Sequence, residues 1–273
     1  DTKTLDRIKK LVIPPAWRDV CIADKSSDKV QCIGIDDKNR KQYKYNQDYI
    51  QEQTNNKYYL SLIEFGKQIN KIREDVKEML RKRYWDLNKL VAFVIYVIDS
   101  CHLRIGNEKY KDENESYGIT TLERRHIIIK TNSVSFNFIG KKGVENSCKL
   151  CSRDIVNLFK SLDKEFKPED NDPFFRYYGN NGKVYTITSH HINDFLKDYG
   201  NFSAKIFRTW TANEYIVKYL YNIVKQLYEQ NEIEIKDFDS ISQKNCAIII
   251  NKCIDEVSEK LNNTRAICKK SYI

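Results

Sequence analysis

The chain has 273 residues, which is enough for one large domain or two modest ones. Hydrophobic residues make up 41% of the sequence, so a packed core can form and an intrinsically disordered chain is excluded. The formal net charge of +9 is consistent with a polyanionic partner such as DNA or RNA, and equally with a lysine-rich solvated surface. The 18 tyrosines, interleaved with basic residues, suit contacts to phosphates and bases.

The eight cysteines do not indicate a disulfide framework, because the chain is long and shows no signal peptide. We therefore expect an intracellular protein in a reducing compartment. Cys148 and Cys151 form one C-x-x-C pair, but no second pair follows, so two strand cysteines are favoured over a zinc site. No apolar run reaches the roughly 18 residues of a membrane span, and no G-x-x-x-x-G-K-[ST] motif indicates a bound nucleotide.

The N-terminal part of the chain, residues 1–54, is predicted to form a small antiparallel β domain. Short runs typical of strands are separated by turns and prolines: 11–13, 30–35 and 40–45. In the last run, charged or amide residues alternate with aromatic ones, which places Tyr43 and Tyr45 on one face of a strand. The domain boundary is predicted at 52–57, a stretch without an apolar residue.

The larger domain, residues 55–273, is predicted to be mainly α-helical. Helical patterns cover five stretches: 47–83, 87–103, 189–199, 211–229 and 243–261. The first stretch is expected to bury Leu60, Ile63, Ile69 and Ile72. The second is mostly apolar and too long for an ordinary strand, so a buried helix that stops at Gly106 is predicted.

Between these helices, residues 126–149 switch to the pattern of three short strands. Ile127 begins the first strand, Val134 and Phe136 alternate on the second, and a turn at 140–143 leads to the third. This antiparallel meander would carry two lysines at its hairpin tip. The predicted fold class is therefore α+β, with a small N-terminal β domain and a larger, mainly α domain that contains a three-stranded meander.

Five polar side chains are candidates for a shared site, although they are far apart in the sequence: Arg104, Lys141, Arg208, Asn263 and Tyr272. Taken singly, each is more readily explained by a structural role. An arginine at the end of an apolar helix, for example, needs a partner, and Glu113 or Glu115 is expected to offer a salt bridge to Arg104.

Phosphodiester chemistry gives a reason to group these residue types. A tyrosine hydroxyl that attacks a phosphodiester creates extra negative charge on the non-bridging oxygens, which two guanidinium groups can hold. A lysine can donate a proton to the leaving oxygen, and a side-chain amide can donate one more hydrogen bond to the phosphate. This chemistry requires no metal ion, and no carboxylate or histidine cluster with metal-ligand spacing is evident in the sequence.

The sequence resembles the type IB DNA topoisomerases of the compact poxvirus-like and bacterial kind. The resemblance covers nearly the whole chain and rests on motifs that occur in the family's order: LVIPPAWRDVCI (11–22), GIDDKNRKQYKYN (34–46), RIGNEKYKDENESYGITTL (104–122), FIGKKG (138–143), FSAKIFRTW (202–210) and TRAICKKSYI (264–273). Several motifs in the right order are a much more specific signal than any one of them.

The resemblance implies catalytic roles for the five candidates. Tyr272 would attack the DNA phosphate and form a 3′-phosphotyrosine. Arg104 and Arg208 would stabilise the transition state, and Lys141 would be the general acid for the 5′-hydroxyl. Asn263 occupies a position that relatives fill with His or Asn, and it would contact a non-bridging oxygen.

The resemblance also implies contacts to DNA for a second group: Gln42, Tyr43, Tyr45, Tyr110, Lys142 and Lys205. Surface aromatic packing is the alternative explanation for the tyrosines. Lys142 is an alternative to Lys141 as the general acid, because either lysine can occupy the hairpin tip. The spacing from Phe138 favours Lys141.

The implied activity is ATP-independent relaxation of supercoiled double-stranded DNA by a monomer, without a metal ion or nucleotide cofactor. A tyrosine recombinase is the alternative with the same chemistry. Recombinases usually have His three residues before the second arginine, however, where this chain has Lys205. A non-catalytic nucleic-acid-binding protein is the alternative from another class.

The chain departs from the family pattern at Arg265, where relatives often have proline, and at Asn39, where glycine is usual. Relatives also start earlier and continue beyond the tyrosine, so we expect the numbered chain to be part of a longer protein. The composition, rich in Lys, Asn, Ile and Tyr, is typical of an AT-rich genome and suggests a large DNA virus as the source.

Overall fold

The computed structural model describes residues 2–52, 59–229 and 243–273. The chain divides into two units, Asp1–Ile63 and Glu64–Ile273. The predicted boundary at 52–57 lies almost wholly outside the described residues. Small antiparallel sheets occur together with long helices, which confirms the predicted α+β class.

The N-terminal unit is built on one three-stranded antiparallel sheet in the order β1-β2-β3. Its elements are α1 (Thr2–Lys10), β1 (Arg18–Ile22), β2 (Val30–Ile35), β3 (Lys41–Tyr45) and α2 (Gln47–Glu52). Helix α1 was not expected from the sequence, because its four basic residues and two apolar ones give a weak helical signal. The strands agree with the prediction for 30–35 and 40–45, whereas 11–13 forms no strand.

A hydrogen-bonded turn joins β2 to β3. The Asp36 carboxylate accepts from the Arg40 side chain (2.8 Å) and from the backbone N–H groups of Lys38 and Arg40. It also accepts from Gln42 Nε2, 2.9 Å away. These bonds, led by the one from the Arg40 side chain, hold the pKa of Asp36 at about 2. The turn therefore stays charged and hydrogen-bonded at neutral pH.

The larger unit is mainly helical, as predicted. Its helices are α3 (Tyr59–Leu80, which begins before the unit boundary), α4 (Leu87–Cys101), α5 (Glu108–Asn114), α6 (Arg153–Phe166), α7 (Ser189–Lys197), α8 (Lys205–Glu229), α9 (Gln243–Lys260) and α10 (Arg265–Ser271). Helix α8 starts six residues before the predicted position. Helix α10 was not predicted at all. It begins at an N-cap, Thr264, whose hydroxyl accepts from the Ile267 N–H.

Helix α4 runs through the core of this unit. Asp86 caps its first turn by accepting from the Lys89 N–H at 2.7 Å, and residues 90–95 are all buried. The helix ends at Cys101 because His102 adopts the left-handed conformation (φ 53°), so Gly106 is not the stop that the sequence predicts. Among the described helices, none combines the length and the apolar character that a membrane span requires.

Helix α3 buries a different stripe from the predicted one. Leu60 and Ile63 are 61% and 56% exposed, whereas Phe65, Ile69, Ile72 and Val76 are buried. With 3.6 residues per turn, the buried set lies along one face, and Leu60 and Ile63 point to the opposite side. The prediction for Ile69 and Ile72 is confirmed, and the prediction for the two earlier residues is wrong.

The predicted meander is present as a three-stranded antiparallel sheet in the order β4-β5-β6. Its strands are β4 (Ile127–Ile129), β5 (Val134–Ile139) and β6 (Glu145–Leu150), joined at the tip by a short 3₁₀ turn, Lys141–Gly143. Alternate residues of β5 are buried, as its pattern predicts. A two-stranded hairpin, β7 (Arg176–Tyr178) with β8 (Val184–Thr186), was missed because its strands are only three residues long.

Two apolar clusters stabilise the larger unit. The main core packs α4 against α3, α6, α7 and the meander. A smaller cluster joins α8, α9 and α10 through Ala212, Ile254, Val257, Leu261, Cys268 and Tyr272. The last residues of the described chain are therefore packed into a core of their own rather than left as a surface tail.

A disulfide bond joins Cys101, at the end of α4, to Cys148 on β6. The sequence did not predict this single bond, and the other six cysteines are free thiols, so the described residues form no disulfide framework. Cys148 is a strand residue, as predicted, but Cys151 follows the strand and is exposed. The 47-residue separation hides the pair in the sequence, because only the packing of α4 beside β6 brings the two sulfur atoms together.

Candidate active site

A cleft of about 940 Å³ in the larger unit collects most of the predicted site residues. Seven of them line it: Arg104, Lys141, Lys142, Lys205, Arg208, Asn263 and Tyr272. Among the described residues, six cationic side chains including Lys270 line this cleft, against one carboxylate, that of Glu259. Such a surplus of positive charge in a concave site favours binding of a polyanion.

Tyr272 follows directly after α10 and is only 5% exposed. The Asn213 side chain on α8 donates to the Tyr272 carbonyl at 2.7 Å, and the ring packs in the small cluster beside Cys268 and Leu261. Both contacts fix the position of the tyrosine against α8. Its hydroxyl is held by a third contact, to an arginine.

Arg208 lies one turn into α8 and is 3% exposed. Its Nε donates to the Tyr272 hydroxyl at 3.1 Å, and its Nη2 donates to the Leu261 carbonyl at 2.7 Å. Its Nη1 donates to the His102 carbonyl. A buried guanidinium requires such partners, and these three fix the plane of the fork against the tyrosine.

The surrounding charges change the acidity of Tyr272. Burial alone would raise the pKa of its phenol, but the charge of Arg208, the Arg208 hydrogen bond and the charges of Arg104 and Lys205 outweigh burial. The pKa of Tyr272 therefore lies below its ordinary value. Lys205 Nζ and the Arg208 guanidinium lie 5.8 Å and 5.4 Å from the centre of the tyrosine ring, which supports this electrostatic effect.

Arg104 and Asn263 meet in the same cleft, although 159 residues separate them. The sequence offers Glu113 or Glu115 as a partner for Arg104, and in the structure Arg104 Nη2 donates to the amide oxygen of Asn263, Oδ1, at 2.6 Å. The contact also orients the amide, because Oδ1 must face the arginine. Asn263 Nδ2 then has no acceptor among the described residues, although it is buried.

Backbone contacts position the Arg104 segment. The Arg104 and Ile105 carbonyls accept from the N–H groups of Ile119 and Thr120, at 2.9 and 2.8 Å. A Cβ added to Gly118 would lie 2.4 Å from the Cα of Gly106, so only a glycine pair allows this approach. The role of Gly106 is therefore to bring two loop segments together beside Arg104.

Both candidate lysines lie at the exposed tip of the meander. Lys141 begins the 3₁₀ turn, and Lys142 adopts a left-handed conformation with φ 67°. Both line the cleft that contains Tyr272. The choice between Lys141 and Lys142 as the general acid therefore stays open.

The predicted DNA contacts of the N-terminal unit lie on β3. Tyr43 and Tyr45 are each 43% exposed, and their rings stack with centroids 6.1 Å apart, so they share a face as expected. Gln42 lies on the other face and donates to Asp36. Tyr110 belongs to helix α5, but its side chain lies outside the described residues.

Sequence reasoning missed His102, whose carbonyl and ring both contact α8. Its only signal in the sequence was its position two residues before Arg104. A search of the described residues finds no group of three or more His, Cys, Asp or Glu side chains arranged to hold a metal ion.

Comparison with known proteins identifies the family. Residues 45–272 match the model for the eukaryotic DNA topoisomerase I catalytic core, and residues 1–36 match the bacterial DNA topoisomerase IB N-terminal domain. DNA topoisomerase 1B of Acanthamoeba polyphaga mimivirus is 29% identical, over 100% of this chain and 78% of the relative. DNA topoisomerase 1B of vaccinia virus (strain Copenhagen) is 23% identical, over 100% of this chain and 80% of the relative.

Among solved structures, the XerH site-specific recombinase bound to palindromic difH substrate matches 75% of this chain and 47% of that chain. Its TM-score is 0.42 at 12% identity, and this similarity is too weak to support a conclusion about the fold or function of this chain. The family match, in contrast, covers most of the sequence. The chain belongs to the type IB DNA topoisomerases.

Proposed function

We propose that this chain relaxes supercoiled double-stranded DNA by cutting one strand, forming a 3′-phosphotyrosine at Tyr272 and resealing the strand. The single observation that carries the proposal is the hydrogen bond from Arg208 Nε to the Tyr272 hydroxyl inside a cationic cleft. A tyrosine is a weak nucleophile at neutral pH unless its phenolate is stabilised, and the cations around Tyr272, which lower its pKa, favour the phenolate.

In the forward step, the Tyr272 hydroxyl gives its proton to water, the phenolate oxygen attacks the phosphorus, and the bond between the phosphorus and the 5′-oxygen breaks. Extra negative charge develops on the two non-bridging oxygens. Arg104 and Arg208 line the cleft on which the phosphate would bind, and both remain cationic throughout. Fixed positive groups at the place where charge develops lower the barrier, because no reorganisation is needed during the reaction.

The 5′-oxygen leaves as a hydroxyl only if it receives a proton. Lys141 is the proposed donor and Lys142 its alternative, since both line the cleft from the exposed tip of one hairpin. Resealing reverses the step: the 5′-hydroxyl attacks the phosphotyrosine, its proton returns to the lysine, and the phenolate leaves. The bond energy is conserved in the phosphotyrosine, so the cycle consumes no nucleotide.

Asn263 is proposed to donate to a non-bridging oxygen. Its Oδ1 is occupied by Arg104, and its buried Nδ2 has no acceptor among the described residues. A buried donor without a partner costs about 1–3 kcal/mol, which a bound phosphate oxygen would recover. The same phosphate would then contact the amide and both arginines.

The N-terminal unit is proposed to bind DNA as a separate domain of about residues 1–54, with Tyr43 and Tyr45 as exposed aromatic contacts. The proposed set of DNA contacts is completed by four further side chains: Gln42, Tyr110, Lys142 and Lys205. We propose further that the enzyme acts as a monomer, and that action on DNA places it inside the cell. Binding should weaken steeply with salt, because phosphate contacts release counterions.

The test is relaxation of a supercoiled plasmid in EDTA without ATP, with Tyr272→Phe as the matched control. We expect the wild type to relax any plasmid and to leave closed circles, and the variant to bind DNA without relaxing it. Relaxation by Tyr272→Phe would contradict the assignment of the nucleophile. A requirement for paired target sites would instead indicate a recombinase, and binding without any cleavage would indicate a non-catalytic DNA-binding protein.

A further inference from the structure

We propose that His102 is a positioning residue that holds Arg208 in line with Tyr272. This inference rests on the proposed function, in which Arg208 acts on the reacting phosphate. His102 ends helix α4 in a left-handed conformation (φ 53°, ψ 30°), and its carbonyl accepts from Arg208 Nη1. His102, which terminates helix α4, thus binds the Arg208 guanidinium of helix α8.

The His102 ring contacts the same helix that carries Arg208. Its Nδ1 lies 3.4 Å from the Thr211 hydroxyl, and its Nε2 lies 3.4 Å from the Tyr215 hydroxyl. The Tyr215 ring packs edge-on against the imidazole, with centroids 5.8 Å apart and planes at 87°. Each hydroxyl can donate or accept, so a neutral imidazole satisfies both contacts in either tautomer.

The spacing along α8 explains why these contacts act together. Arg208, Thr211 and Tyr215 follow one another at intervals of three and four residues, so they lie on one face of the helix. The ring therefore fixes His102 along α8, and this in turn fixes the carbonyl that accepts from Arg208. Burial lowers the pKa of His102, which keeps the ring neutral beside the guanidinium.

His102 is also two residues from Arg104, on the same short connection. Its left-handed turn directs the chain from the end of α4 into the segment that carries Arg104. His102 therefore positions the Arg208 guanidinium through a hydrogen bond, and it positions Arg104 through the chain that connects them. Displacement of a reacting group by about 1 Å can lower a rate roughly 100-fold, so loss of this anchor should be visible in the cleavage rate.

The experiment uses His102→Asn. Asparagine tolerates the left-handed conformation and keeps the backbone carbonyl, but its side chain cannot contact both Thr211 and Tyr215. We expect single-turnover cleavage at saturating enzyme to fall about 10- to 100-fold, with DNA affinity changed less than about twofold. His191→Asn is the matched control, because His191 is also half-buried and accepts from the backbone N–H of Thr188, the N-cap of α7, away from the cleft.

A double-mutant cycle separates positioning from a general loss of stability. If His102 acts through Arg208, the His102→Asn change should lower cleavage in the wild type but have no further effect in an Arg208→Ala background. An equal effect in both backgrounds, or wild-type cleavage by His102→Asn, would overturn the proposal. If His102→Asn does not fold, Tyr215→Phe removes one ring contact, and the same non-additivity with Arg208→Ala is expected.

A readout that needs no activity completes the test. The ¹⁵N–¹H signal of Arg208 Nε, assigned with Arg208→Lys, should shift and exchange faster with water in His102→Asn, and stay unchanged in His191→Asn. An unchanged signal in both variants would overturn the proposal. If the wild type forms no covalent adduct and yet the signal moves as expected, the proposed function fails while the positioning role stands.

Discussion

The guanidinium of Arg208 donates to the hydroxyl of Tyr272 at 3.1 Å, although the two residues are 64 positions apart. The contact joins the first turns of α8 to the end of α10 across the small apolar cluster. It places a positively charged guanidinium beside the oxygen atom that is proposed to attack DNA. The acidity of that atom is therefore the first property to measure.

The lowered pKa of Tyr272 predicts the pH dependence of cleavage. Because the phenolate attacks, the single-turnover rate should rise with pH and level off below pH 10, the ordinary range of tyrosine. Lys205→Ala removes one of the cations responsible, so its profile should move to higher pH. Lys218→Ala, on the same helix but outside the cleft, is the control and should leave the profile unchanged. Identical profiles for all three proteins would contradict the electrostatic account.

The hairpin lysines predict a rescue by a better leaving group. Lys141→Ala should slow cleavage about 10²- to 10⁴-fold on ordinary DNA. A substrate with sulfur at the 5′-bridging position needs no proton on its leaving group. The wild type and Lys141→Ala should therefore cut this substrate at similar rates. Lys142→Ala is the matched comparison, and whichever variant sulfur rescues identifies the acid. If sulfur rescues neither slow variant, the acid lies elsewhere.

Asn263 predicts opposite effects on stability and on activity. Asn263→Asp keeps an acceptor for Arg104 and adds a charge that pairs with it, so the melting temperature should stay the same or rise. The carboxylate would also repel the phosphate and remove the donor, so cleavage should fall about 10²-fold or more. Asn263→Ala should cleave faster than Asn263→Asp. Wild-type cleavage by the aspartate variant would limit this residue to a structural role.

The Cys101–Cys148 bond predicts a stability that depends on redox conditions. Closing a 47-residue loop is worth roughly 4 kcal/mol in a chain-entropy model. Dithiothreitol should therefore lower the urea midpoint of the wild type. The double variant Cys101→Ala with Cys148→Ala should unfold at a lower midpoint that dithiothreitol does not change. Equal midpoints of the wild type with and without the reductant would show that the bond does not contribute.

Much of the fold follows from local patterns in the sequence. The apolar run after Leu87 and the alternation on β5 identify a buried helix and a half-buried strand, since burial imposes those periods. Leu60 and Ile63 show the limit of this reasoning. A helical period says which residues share a face, but only tertiary packing decides which face is covered.

The sequence predicted seven residues that the structure brings together in one cleft, but it did not predict their contacts. Chemistry grouped Arg104 with Asn263, yet the amide–guanidinium hydrogen bond depends on how α9 and the loop after α4 pack. His102 escaped notice because it acts through its backbone carbonyl, which every residue has. The disulfide was missed because its two cysteines are 47 residues apart, and helix α10 was missed because the seven-residue helix packs against α8 and α9 through Cys268.

The most direct test of the account is to identify the tyrosine that carries DNA. Wild-type enzyme is trapped on a cleaved strand, digested with trypsin and analysed by mass spectrometry for the peptide that bears the nucleotide. Of the 18 tyrosines, only Tyr272 should carry a 3′-phosphate. A nucleotide on any other tyrosine, or relaxation of DNA without a covalent intermediate, would contradict the central claim.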